Sequence, residues 1–138
     1  MPKASLDQTR GLMHAAVPHA RVTDYQHLMP GLHLPDPDDR HVLAAALHSG
    51  ARSLITFNLS DLPVAAVPGT TLTVVHPDSW LVPVLAHTPQ ATGRVLRRLV
   101  APFREPPLTT GDVAIALIQL KLPQSAAVLQ GLLDQGIC

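Results

Sequence analysis

An α/β fold, with a parallel sheet flanked by helices and followed by a helical appendage, is what the order of local signals along these 138 residues predicts. Two β-biased apolar runs, "RSLITF" (52–57) and "TTLTVV" (70–75), share the first half with helical patterns, whereas helical spacing alone fills the second half. Apolar residues make up 46% of the chain and aromatics 3%, so the core is expected to be built from Leu, Val, Ile and Ala.

Each element has its own signal. In "SLDQTRGLMHAAV" (5–17), Ser5 and Gln8 have capping-box spacing ahead of apolar positions at helical intervals, predicting a helix over about 5–16 that ends near Pro18. "ARVTDY" (20–25) reads as a short strand and "LMPGLHLP" (28–35) as connecting chain. Asp36, Pro37, Asp38 and Asp39 form a helix start: a capping acid, Pro at the first helical position, and acids at the positive end of the macrodipole. "RHVLAAALHS" continues that helix and Gly50 is placed to end it. "RSLITF" is expected to be a buried strand, with "NLSDLP" (58–63) the loop at its carboxyl end; "HPDS" stops the second strand. "DSWLVPVLAHT" (78–88) carries an interior Pro and should be short or kinked. Thr88 and Pro89 begin the next helix, and "LTTGDVAIALIQLKL" and "PQSAAVLQGLLDQG" form a helical pair around Pro123.

Composition narrows function. One domain with a real core fits this length. Ten basic and ten acidic side chains cancel, so no strong field steers the chain toward nucleic acid or a membrane surface. The single cysteine, Cys138, excludes an intrachain disulfide and reads as a frayed terminal thiol. No run reaches the ~18 apolar residues of a membrane helix, and "MPKASLDQTR" lacks the apolar core of a secretory signal; a cytoplasmic location is expected.

Residues 34–63 concentrate four of the ten acids: Asp36, Asp38, Asp39 and Asp61. Acids at a helix N-terminus are stabilising by ~0.3–1 kcal/mol each, so capping explains the first three without any ligand. Asp61 follows a strand, in the kind of loop where open α/β sheets bind ligands. A hard cation such as Mg²⁺ needs few carboxylates because it keeps several waters. Spacing alone does not establish whether Asp39 and Asp61 converge.

The segments "LPDPDDRHVLAAA" (34–46) and "TFNLSDLP" (56–63), separated by "LHSGARSLI", resemble the PIN domain family, the metal-dependent nucleases that include the VapC-type toxins. The looser resemblance covers 20–87. It implies a three-layer PIN-like parallel sheet flanked by helices. It further implies that Asp39 and Asp61 are catalytic metal ligands for Mg²⁺ or Mn²⁺, with Asp36 and Asp38 in support. Asn58 stands where the commonest family pattern has Asp, as a group that orients metal or water. In such sites the metal activates water for attack on an RNA phosphodiester. An RNA substrate and an antitoxin partner are the corresponding expectations.

The sequence departs from the family pattern in lacking an early strand ending in a "LDAN"-like Asp and the following helix that supplies a Glu. Glu105, in "FREPPLT", matches no catalytic position. The expectation is therefore a PIN-like domain incomplete at its N-terminus, residues 1–87 being its C-terminal portion and 88–138 a helical extension. Activity would be impaired, and a homodimer or a complementing N-terminal piece would complete the sheet. The alternative is an inactive remnant acting as a binding or oligomerisation module.

Other residues carry weaker signals. Arg94, Arg97 and Arg98 lie on neighbouring helical positions, either as a solvated face or as phosphate contacts. Trp80 reads as a core anchor rather than a base-stacking platform. The eight histidines show no i, i+4 pair; His41, one turn into the acid-capped helix, is the one to watch.

Overall fold

The computed structural model describes residues 3–63 and 69–137; Cys138 lies outside them. The chain divides into two compact units, one comprising Met1–Leu54 and Ser60–Val74, the other Ile55–Leu59 and Val75–Cys138. Two short parallel strands, β1 (Ser53–Ile55) and β2 (Thr73–Val75), pair directly. Helix combined with a small parallel sheet gives the α/β character that the sequence predicts.

The first unit begins with α1 (Lys3–Ala16). It starts before Ser5, which therefore sits inside the first turn instead of capping; its carbonyl accepts from Thr9 Oγ1 at 2.9 Å. The expected strand at 20–25 is absent: residues 21–25 are irregular, with Asp24 at φ 63, and Gln26–Gly31 is a 3₁₀ segment. A left-handed residue breaks the extended backbone a strand requires, and among the described residues no partner strand lies beside it in the sheet.

Helix α2 (Arg40–His48) organises this unit's core. Leu43, Ala44 and Ala46 are buried with Leu32, Leu62 and Leu72, and Leu54 and Val74 pack against them from the strands. Gly50, at φ 67, ends the helix: its N–H donates to the Leu47 carbonyl at 3.1 Å and that of Ala51 to Ala46 at 3.0 Å. The sheet covers this core with one face, so Ser53 and Ile55 of β1 point outward and the strand is half-exposed, not buried as expected.

The second unit holds α3 (Pro77–His87), α4 (Pro89–Val100), α5 (Thr110–Gln119) and α6 (Pro123–Asp134). Leu96, Ala114 and Leu129 form its core, with Val113, Leu117 and Leu133 packed against them. Pro83 lies within α3, which nonetheless runs its full 11 residues. Thr88 occupies the N-cap position of α4 without a side-chain cap, and Thr92 Oγ1 instead donates to the Leu85 carbonyl at 3.0 Å. Thr109 and Asp112 form a capping box at the start of α5.

Trp80 is 40% exposed and is not a core anchor. On α3 the inward stripe is Asp78, Leu81, Val82 and Leu85, at i, i+3, i+4 and i+7. Trp80 is two residues from Asp78, which turns it about 200° away. A buried acid, not the aromatic ring, sets the register of this helix.

Two helix ends yield opposite predictions. At the end of α5, Lys121 adopts φ 62 so that its N–H reaches the Ile118 carbonyl at 3.0 Å and that of Leu122 reaches Leu117 at 2.9 Å. A side chain in this conformation is strained, and Lys121→Gly should raise unfolding stability by about 0.5–1 kcal/mol in urea titration. After α6, Gly93 of α4 faces the Ile137 backbone so closely that a Cβ there would collide with the Ile137 carbonyl. Gly93→Ala should lower stability by about 1–3 kcal/mol, measured the same way.

Candidate functional site

The acid-rich segment 36–39 is shaped by local hydrogen bonds. Asp36, extended at φ −101, accepts from the Asp38 N–H at 2.8 Å through its carboxylate, while Pro37 opens a 3₁₀ turn, Pro37–Asp39, that runs into α2. The Asp39 N–H donates to the Asp36 carbonyl at 3.2 Å, Arg40 Nε to that of Pro37 at 2.8 Å, and the His41 ring pairs with that of Asp38. His41 is thus tied to the cap's backbone. Asp36 and Asp38 are exposed; Asp39 is half-buried at the residue immediately before α2.

Asp61 lies half-buried in the same unit, where Ser60 Oγ donates to its Oδ1 at 3.5 Å. Its neighbour Leu62, 3% exposed, joins the cluster formed by Leu43, Ala44 and Ala46. One apolar core therefore seats both the helix that Asp39 precedes and the loop carrying Asp61. Asn58 belongs to the other unit, where its N–H donates to Thr56 Oγ1 at 3.0 Å.

Two carboxylates suit Mg²⁺ or Mn²⁺ in kind, since hard cations take oxygen ligands. Among the described residues, however, no group of three or more His, Cys, Asp or Glu side chains is placed to hold a metal ion. The described donor set does not build a protein metal cage, and most of the coordination sphere would have to come from water or substrate.

Arg94, Arg97 and Arg98 are exposed on α4, in the second unit. Arg97 Nη1 donates to the Ile137 carbonyl at 2.7 Å. No other charged residue lies on this helix.

Compared with known proteins, the sequence is 35% identical over 98 residues to "Putative ribonuclease VapC50" of Mycobacterium tuberculosis (strain ATCC 25618 / H37Rv), a match covering 71% of this chain and 57% of the relative. The chain belongs to the VapC-like PIN domain family. This PIN chain spans little more than half the length of that relative. No family model matches the sequence, and no solved structure matches it. No helix among the described residues is long and apolar enough to cross a membrane.

Sequence reasoning passed over one buried, multiply hydrogen-bonded acid in the PIN chain. Asp78, 2% exposed, accepts from the Ser125 hydroxyl at 2.6 Å, the Ser125 N–H at 2.7 Å and the Gln124 N–H at 2.9 Å. The Asp78 N–H in turn donates to His76 Nδ1 at 3.1 Å. Burial by itself would raise the Asp78 pKa. The Ser125 hydroxyl and the two backbone N–H groups, with a smaller Coulombic contribution from His76, outweigh it and hold the carboxyl below the usual carboxylate range. The local signal was an acid in the first turn of a Pro-started helix, which also describes a solvated acid facing the macrodipole. Its partners, 46 and 47 residues away, carry no local mark.

A folded-state pKa below the unfolded value contributes stability that is present above the unfolded pKa, near 4, and lost as pH falls through the folded pKa. Asp112, held low by the Thr109 hydroxyl and N–H, acts in the same direction. Asp78→Asn should lower Tm at neutral pH, and below about pH 4 the gap to the unsubstituted chain should narrow. A gap that is constant from neutral to acid pH in calorimetric melts would refute this assignment.

Proposed function

We propose that this chain carries part of a PIN-type, Mg²⁺- or Mn²⁺-dependent ribonuclease centre of toxin–antitoxin type, with Asp39 and Asp61 as its metal-facing catalytic carboxylates. The relative's name supplies the ribonuclease class, and the family pattern supplies the carboxylate roles. The observation that carries the reading is the common apolar core of Leu43, Ala44, Ala46 and Leu62, which anchors the chain just beyond each of these two acids within one unit. Asp36, spent on the helix cap, and Asp38 support Asp39 by holding the 3₁₀ turn and adding negative potential. The metal would supply Lewis acidity and an activated water; Asp39 and Asp61 would position it.

In this reading the two-stranded sheet and its helices are part of a three-layer PIN-like arrangement, completed by a second copy or by a separate N-terminal piece. Arg94, Arg97 and Arg98 would contact RNA phosphates and so position the strand without reading sequence. An antitoxin protein would be the cognate partner.

A second reading is favoured by one observation. The described residues assemble no three-ligand cluster, which suits an inactive PIN module that binds or assembles. Metal affinity separates the two. Calorimetric titration of the chain with Mn²⁺ should give a Kd on the order of 100 µM, lost in Asp39→Asn and in Asp61→Asn, with metal-dependent cleavage of single-stranded RNA lost in both. Sub-micromolar binding would show that the metal site is more complete than described. Absence of both binding and cleavage would establish the inactive module.

A further inference from the structure

On α4, Gln90, Arg94 and Arg97 fall at i, i+4 and i+7, a single stripe about 10 Å long. Facing it is the segment that follows α6. Gly136, at φ 70, donates its N–H to the Leu133 carbonyl at 2.9 Å, and the Ile137 N–H reaches that of Leu132 at 3.0 Å, turning the chain back. Gly93 offers no Cβ to the Ile137 backbone, so the segment sits against the helix and Arg97 Nη1 reaches the Ile137 carbonyl at 2.7 Å. Gln90, Arg94, Arg97, Gly136 and Ile137 line an open cavity of about 450 Å³ within this unit.

From this geometry we propose that the cavity is a discrete phosphate-binding site, with Arg94 as its principal ligand and Arg97 and Gln90 as further donors. Arg97 is already oriented by the Ile137 carbonyl, and that bond uses one of its five N–H groups. Arg94 has no hydrogen bond or ion pair among the described residues, so its planar fork is available to an oxyanion. Arg94 also lies one turn from both Arg97 and Arg98, on a helix without an acid. Like charges at these spacings repel, and a bound anion relieves that repulsion. The acid nearest in sequence to Ile137, Asp134, is occupied by Gln130 Nε2 at 2.9 Å. Phosphate fits because its oxygens match guanidinium forks on adjacent turns and because the cavity, open on one side, admits either a free phosphate or one group of a polynucleotide chain.

The assignment rests on the reading of α4 as a phosphate-facing helix and makes it specific; it does not depend on a metal at Asp39 and Asp61. The test follows arginine Nε–Hε resonances of the full chain in EDTA while phosphate replaces chloride at constant ionic strength. A saturable change centred on Arg94 and Arg97 is expected, weakened about tenfold or more in Arg94→Gln and less in Arg94→Lys, which keeps charge but loses the fork. Equal response to chloride, or unchanged phosphate affinity in Arg94→Gln, overturns the site.

A parallel titration with a single-stranded oligoribonucleotide identifies the source of the group. Loss of both affinities in Arg94→Gln supports the site with a nucleic-acid diester as its ligand; loss of phosphate affinity alone supports it with a free phosphate. RNA binding that depends on Arg98 without saturable phosphate binding overturns the discrete site while leaving the phosphate-facing helix intact. Absence of both interactions overturns the two together.

Discussion

A carboxylate withdrawn from water is costly unless every lone pair that matters finds a donor. In the helical unit of this protein that constraint is met at Asp78, where α6 presents two N–H groups from its first turn and the Ser125 hydroxyl to one acid at the start of α3. The pairing fixes where α6 begins. From there Leu129 reaches the core beside Leu96 and Ala114, and the turn after α6 brings Ile137 against Gly93 and Arg97. The geometry of the α4 cavity is thus downstream of a contact between residues nearly fifty positions apart.

The same contact marks the limit of what the sequence showed. Several helices were legible where a cap or a breaker was local: Asp36–Pro37 before α2, Gly50 after it, and Pro123 opening α6. Both strands of the sheet were legible from β-branched apolar runs. What failed needed a tertiary partner. Residues 20–25 had strand-like composition but no strand beside them, and Trp80 looked like an anchor because its size was visible while the inward register of α3, set by Asp78, was not. The exposure of Ile55 follows likewise from a sheet that has one packed face.

At the acidic segment, sequence offered two explanations, helix capping and metal binding, and the structure gives the first a direct observation at Asp36. Asp36 spends a carboxylate oxygen on the Asp38 N–H, which accounts for it as a cap. Asp39 stands at the junction of the 3₁₀ turn and α2, half-buried, and Asp61 stands beside a core leucine; neither position is needed to cap a helix through its side chain. The family resemblance was legible from sequence because the flanking apolar residues that seat the acids are as much a part of the motif as the acids themselves.

The two units place different demands on charge. The acid-bearing unit gathers carboxylates at a helix start, where backbone N–H groups and the macrodipole offset their mutual repulsion before any cation arrives. The helical unit carries Arg94 in the middle of α4 and Arg97 and Arg98 in its last turn, where the helix end favours cations and where Arg97 donates to the Ile137 carbonyl. Three of the unit's acids are engaged elsewhere, Asp78 by α6, Asp112 by Thr109 and Asp134 by Gln130. Carboxylates at a helix start can persist for stability alone. Arg94, one turn from both Arg97 and Arg98 and with no hydrogen bond or ion pair among the described residues, gains from neither neighbour, and it is the guanidinium to which the proposed phosphate site assigns an anion.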